Sequence, residues 1–451
     1  MKSAILRPKS LDKDEIRASL RSIRTEACVL CKEVMKVQKE KKRFFYEWVV
    51  VACCFLMIFT VLGFGSTPRK LFMVAVPKAL GMEYGPYSLS DTFRYTATAV
   101  ANLFFGTLTV KFGPRRMIAS GFVCLISAMM VFASAQTLAA IYLGGALLGV
   151  GMTLTGTTMA SYVVSLWCKK HKGTMTGLVL CANGIGGALG MQILSPIIAK
   201  SVFGYRDAYR LTAVILLAVG VMILALFRDA PSGAAPAAGK KQPKKVEWEG
   251  ITLREALAKP YFYVAAVCIF LTGMALQSIV GSDANHMTNA GLDLATAASA
   301  LSLNAIVLTF SKFLVGFLYD RLGIKKTMLL CDIAMLVTLL LLIGINPSAS
   351  GKMMAYGYAV ISAVALPLET IMIPLITAEL FGRKSYAQML GIVSALNTAG
   401  FSVGPPVINF IFDTLGTYVP VFWVYLLMMA GITIAFRYAL SAAQKTQKPV
   451  S

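Results

Sequence analysis

Charge is the scarcest ingredient of this chain. Only 14% of its 451 residues are charged, against about 25% in an ordinary soluble domain. Acid is scarcer still: 21 Asp and Glu stand against 43 Lys and Arg. Apolar side chains take their place, at 57% of residues and a mean hydropathy of +0.70. One soluble core cannot hide that much apolar surface, so a bilayer is the expected solvent. Paired cysteine motifs are missing too. Cys28 and Cys31 form a lone C-x-x-C with no second pair for zinc, and the nine cysteines read as free thiols. No metal, no cofactor and no enzymatic chemistry is called for.

What the chain does have is long apolar runs. A window of ~19 residues finds twelve stretches long enough to span a bilayer. They fall near 45–68, 88–110, 117–136, 138–166, 174–199, 208–227, 261–282, 293–318, 325–346, 353–378, 386–411 and 417–439. Backbone polar groups in lipid must be satisfied within their own segment, so these are helices, not strands. A charged tail precedes the first, which is therefore not read as a removable signal peptide.

The basic residues set an orientation. The tail 1–45 carries 13 Lys and Arg, and with the alternate loops and the C-terminal tail this side holds 34 of the 43. That bias predicts cytoplasmic termini in a multi-pass protein of the plasma (cell inner) membrane. The net charge of +22 is then mostly a topology signal, and no nucleic-acid partner is expected.

The twelve stretches are two copies of one design. "GTLTVKFGPRR" (106–116) and "GFLYDRLGIKK" (316–326) share G-x-x-x-x-x-x-G-x-[KR]-[KR], 210 residues apart. "MTGLVLCANGIGGALG" (175–190) and "MLGIVSALNTAGFSVG" (389–404) align at an offset of 214. The expected domains are a basic N-tail (1–44), a six-helix bundle (45–228), a linker (229–260), a second bundle (261–440) and a C-tail (441–451). The linker is rich in Ala, Pro, Gly and Lys, a flexible composition.

These features resemble the major facilitator superfamily over about 45–440. The resemblance implies an all-α membrane protein with twelve transmembrane helices in two pseudo-symmetric six-helix bundles. It implies gating loops at Gly106, Gly113, Arg115 and Arg116, and at Gly316, Asp320, Arg321, Gly323, Lys325 and Lys326. Val110 replaces the aspartate of the first loop. A narrower resemblance is to the oxalate/formate antiporter and monocarboxylate transporter branches. It rests on "SLWCKKHKGTMTGLVLCANGIGGALG" (165–190), "ANHMTNAGLDLATAASALSLNAI" (284–306) and "AELFGRKSYAQMLGIVSALNTAGFSVGPP" (378–406). It implies a small anionic substrate, moved by alternating access through exchange or proton symport. A nitrate, sugar or drug carrier is the alternative, as is a receptor or scaffold that no longer transports.

One lysine stands out. Lys312 interrupts the apolar run "TFSKFLVGF", eight residues before Asp320. Eight helical residues rise ~12 Å, close to half of a ~30 Å hydrocarbon layer. Lys312 is therefore the expected counter-charge for a substrate carboxylate, where the resembled branches hold an arginine. An aspartate that the monocarboxylate branch places four residues earlier is Leu308 here. Arg69, in "STPRKLF", matches that branch's cation in helix 1, or else anchors the outer end of that helix. Asn102 is the repeat partner of Lys312, and Asn183 that of Asn397; these and Thr309 are further pore candidates. Glu369 is the candidate counter-ion of Lys312, and Asp283 and His286 are other titrating candidates. In the N-tail, Ile16, Leu20, Ile23, Ala27, Leu30, Val34 and Val37 form a heptad seam. That seam fits a helix on the inner leaflet or a self-associating one. The transport unit itself is expected to be monomeric.

Overall fold

The computed structural model describes residues 46–82, 84–168, 171–200, 202–227, 251–382 and 384–446. The N-tail with its heptad seam, Cys28 and Cys31 lies outside them, as does most of the linker. The helices are α1 (Tyr46–Gly65), α2 (Arg69–Leu80), α3 (Tyr84–Phe112), α4 (Pro114–Ser134), α5 (Leu138–Thr155), α6 (Thr157–Trp167), α7 (Lys172–Ala199) and α8 (Gly204–Leu226). Then come α9 (Leu253–Leu257), at the end of the linker, α10 (Pro260–Asn289), α11 (Leu294–Leu322), α12 (Ile324–Ile343), α13 (Ala349–Ala365), a π-helical turn (Leu368–Met372), α14 (Ile373–Phe381), α15 (Tyr386–Leu415) and α16 (Val419–Thr446).

Among the described residues eleven spans are long and apolar enough to cross a membrane, with α5–α6 and α13–α14 each counted as one. The twelfth is α3. Its 29 residues are long enough, but Asp91, Arg94 and Lys111 dilute its apolar character. Lys111 is exposed at the last turn, and Asp91 and Arg94 pair with one another on a helix that packs between α5 and α15.

Local chemistry explains where helices break. The first stretch does not run unbroken to 68. α1 ends at Gly65, the Thr67 N–H turns back to the Leu62 carbonyl at 2.9 Å, and Pro68 caps a new helix, α2. Proline suits that place because it has no N–H to leave unpaired. The tenth stretch is interrupted as well. Pro367 and Pro374 bracket "LETIM", and the backbone between them widens into a π turn. The segment 251–260 holds α9, and the Ile251 N–H donates to the Phe381 carbonyl at 3.2 Å.

The repeat is visible in the packing. Within the first bundle, a Cβ at Gly186 or Gly190 would collide with the carbonyls of Phe59 or Gly63 on α1. Within the second, Gly400 and Gly404 press in the same way on the carbonyls of Phe270 and Met274 on α10. Between bundles, Gly177 of α7 packs on the Lys312 carbonyl of α11, and Gly391 of α15 on the Asn102 carbonyl of α3. The interbundle contacts correspond through the offsets of 210 and 214 read from the sequence. Gly173 against Gly316 and Gly106 against Gln388 extend the two interbundle crossings toward the loops at Gly113 and Gly323. Those loops turn alike, at φ of 82° and 75°, a region that a Cβ disfavours. We call this side the signature face. Among the described residues the interbundle glycine contacts run from Thr309, which meets Gly184, toward the signature face, and none lies beyond Thr309, so the structure is closed on that face.

His286 belongs to the packing of the second bundle. Its Nε2 meets the Leu342 carbonyl at 2.7 Å, and its ring stands edge-on to Phe422 at 4.8 Å. The neighbouring Asp283 accepts from the Tyr358 hydroxyl at 3.0 Å. Both residues tie α10 to other helices of their bundle.

Closure of the signature face requires glycine at the α7–α11 crossing. Gly316→Leu is expected to hold that face apart while leaving each bundle folded. Spin labels at His171 and Lys325 should then report a mean separation several ångströms longer than in the unaltered chain. An unchanged distance distribution would show that the crossing tolerates a side chain.

Candidate functional site

Lys312 lies at the α7–α11 crossing. Its backbone is pressed against Gly177, and its side chain is buried, at 7% exposure. The groups within its electrostatic reach are Glu369 on the π turn and the Cys181 thiol on α7. Among the described residues no carboxylate comes within 4.0 Å of Lys312, so it closes no ion pair there. An unpaired cation near the bilayer centre costs ~2.5–3.5 kcal/mol on insertion scales. Glu369 mirrors this state. Its Oε2 is shielded from solvent and has no hydrogen-bond partner. A lysine and a carboxylate thus sit within range of one another without touching.

The π turn is what brings Glu369 here. A π turn inserts one residue into the helical ladder and re-aims the side chains that follow. The turn packs on α7, α10, α11 and α12. Sequence reasoning picked out Glu369 but not this geometry; two prolines seven residues apart around an acid, in "LPLETIMIP", were the available signal.

The two asparagines share the orphaned state. Asn102 and Asn397 are buried at 2% and 5%, and the Oδ1 of each lacks a partner. A buried polar group without a partner costs roughly 1–3 kcal/mol. Asn102 occupies the α3–α15 crossing as Lys312 occupies the other. Thr309, one turn from Lys312, packs against Gly184 of α7. Asn183 is already engaged, accepting from the Thr67 hydroxyl at 3.3 Å.

Arg69 is engaged as well. Its Nε donates to Asp91 Oδ1 at 2.6 Å, and an η nitrogen donates to Ser90 Oγ at 2.6 Å. The guanidinium lies 5.4 Å from the Phe132 ring. Arg94 donates to the same Asp91 oxygen at 3.0 Å. Asp91 thus pairs with both arginines.

The residues of the two signature loops divide into two unequal sets. Asp320 caps α7 from the other bundle: it accepts from the N–H groups of Gly173 and Thr174, at 3.0 and 2.7 Å, and from the Thr174 hydroxyl at 2.6 Å. A carboxylate at a helix N-terminus is favoured by both hydrogen bonding and the helix dipole. The related position is Val110, and the matching helix, α15, starts at Ser385 with no side-chain cap. Arg115 donates to the Leu224 carbonyl at 2.8 Å within its own bundle. Arg321 lies over Phe317 at 5.1 Å. Arg116, Lys325 and Lys326 are exposed at the starts of α4 and α12.

Comparison with known proteins now bears on this arrangement. The Major Facilitator Superfamily profile matches residues 53–366 and 283–451. The uncharacterized MFS-type transporter YcxA of Bacillus subtilis (strain 168) is 22% identical, covering 79% of this chain and 84% of its own. Monocarboxylate transporter 12 of Rattus norvegicus is 21% identical, covering 90% of this chain and 88% of its own. The solved proton:xylose symporter XylE superposes with a TM-score of 0.70 at 11% identity, covering 90% of this chain and all of that one. The two bundles, the repeated glycine crossings and these matches agree: the chain belongs to the Major Facilitator Superfamily, as a multi-pass secondary transporter.

Proposed function

We propose that the protein moves a small organic anion, of the monocarboxylate or oxalate/formate type, by alternating access. The observation that carries this reading is Lys312, a buried cation at an interbundle crossing that closes no ion pair. A carboxylate bound there gains an attraction strengthened by the low dielectric. One central lysine balances one carboxylate, which favours a monocarboxylate. The similarity to monocarboxylate transporter 12 supports the same class.

The remaining assignments follow from this. Glu369 holds the field of Lys312 when the site is empty, and substrate takes over that task. Asn102, Asn397 and Thr309 complete the polar lining. The units that rock are residues 45–228 and 261–440, joined by the linker, with one chain as the transport unit. Asp320 on α7 locks the signature face, which the charge bias assigns to the cytoplasm together with both termini. Exchange needs no titrating group, whereas symport would use the Glu369 carboxylate as proton carrier.

Counterflow in liposomes with labelled formate, lactate, pyruvate, oxalate and nitrate tests the reading. Lys312→Gln is expected to cut carboxylate counterflow at least tenfold, the factor that loss of one charge-assisted contact of about 1.5–3 kcal/mol gives. Lys312→Arg should retain part of it. Normal carboxylate transport in Lys312→Gln would refute the assignment.

Glu369→Gln separates the two modes of coupling. In a proton symporter it should abolish uptake driven by an inward proton gradient yet preserve counterflow. In an exchanger neither measurement would depend on the gradient before or after the change. Removal of the field on Lys312 should in either case lower the half-saturating carboxylate concentration, and a raised value would contradict the counter-ion role.

A further inference from the structure

Asp91 serves two guanidinium groups with one carboxylate. The Nε atoms of Arg69 and Arg94 end on the same oxygen, Oδ1, at 2.6 and 3.0 Å. Both arginine side chains are buried, at 7% and 11% exposure, while Asp91 retains 28%. Arginine does not give up its proton in proteins. The cluster therefore holds one more positive charge than Asp91 can offset.

The two arginines are not equally satisfied. Arg69 has Asp91, Ser90 and the Phe132 ring. Arg94 has Asp91, Tyr95, which it meets over the ring at 4.2 Å and by a side-chain hydrogen bond, and the Met152 sulfur, which accepts from an η nitrogen at 3.7 Å. A thioether is a weak acceptor. Arg94 thus carries the surplus charge and the least committed donors.

Its position makes that surplus useful. The Tyr95 ring under Arg94 meets Phe401 of α15 edge-on, with centroids 6.4 Å apart. Arg94 therefore stands beside the seam between the bundles. Asn102, the counterpart of Lys312, lies eight residues further along α3, ~12 Å toward the signature face. The interbundle glycine crossings that close the structure are on that inner side. An anion entering from the opposite face would pass Arg94 before it reached the level of Lys312.

We propose that Arg94 is an outer capture site for the carboxylate of the incoming substrate. The η edge of Arg94 exchanges the Met152 sulfur for carboxylate oxygens, while Arg69 stays on Asp91 and Ser90. Asp91 limits the strength of capture, so the anion can move on to Lys312. The choice of a carboxylate as ligand rests on the transport reading above.

Sided uptake by the full-length chain in liposomes, with labelled formate and labelled lactate as probes, tests this. For entry from the face opposite the signature loops, Arg94→Gln should raise KM at least fivefold, and by more than it changes turnover. Arg94→Lys, which keeps the charge but loses the fork, should fall between. Asp91→Asn should lower KM at least threefold, a direction that mere damage to the fold would not produce. Intact uptake with KM unmoved in Arg94→Gln, or raised in Asp91→Asn, would overturn the capture site alone. An unaltered chain that takes up neither probe would sink the carboxylate reading, and the capture site with it.

Discussion

Two helix crossings organise this molecule. At each, a glycine lets one backbone lie directly on another: Gly177 on Lys312, and Gly391 on Asn102. Lipid offers no hydrophobic force to press helices together, so small residues and close packing must do it. A side chain at either glycine would force the bundles apart at the point where they meet. The same crossings fix where the functional groups stand. Lys312 and Asn102 are not merely near the seam; their own backbones form it. Movement of the bundles is therefore movement of these two residues relative to α7 and α15.

The two halves share a backbone plan but not a charge plan. Lysine on α11 answers asparagine on α3, and Asp320 answers Val110. The first difference gives the centre a single cation. The second leaves Asp320 capping the start of α7 from the other bundle, while Val110 offers no carboxylate to α15. At the other crossing, Gly106 lies on the backbone of Gln388 with no acid beside it. Packing is symmetric where the bundles touch, and the charges beside it are not.

Much of this was legible in the chain. Spans, repeat and crossings depend on hydrophobic length and on glycine placement, which are local properties that survive in one dimension. The pairing of Asn102 with Lys312 and of Gly177 with Gly391 came from offsets alone, and each pair proved to occupy matching contacts. Three features were not legible. The helix after Pro68 carries a mixed sequence whose helical state depends on packing against α3 and α8. The union of Arg69 with Asp91 joins residues 22 positions apart on different helices. The π turn is a backbone adjustment between two prolines, and its register is set by the four helices around it. In each case the missing information was which helices become neighbours.

The π turn also changes how the central charge is balanced. In the resembled monocarboxylate branch an acid sits four residues before the helix-8 cation, on the same helix face. Such a pair has its spacing fixed by helix geometry. Here Leu308 occupies that place, and the acid within electrostatic reach of the lysine is Glu369 on a separate element. The distance between lysine and carboxylate is then set by the packing of α11 against the π turn, not by one helix. Packing between elements can change during a conformational cycle, whereas spacing along a helix cannot.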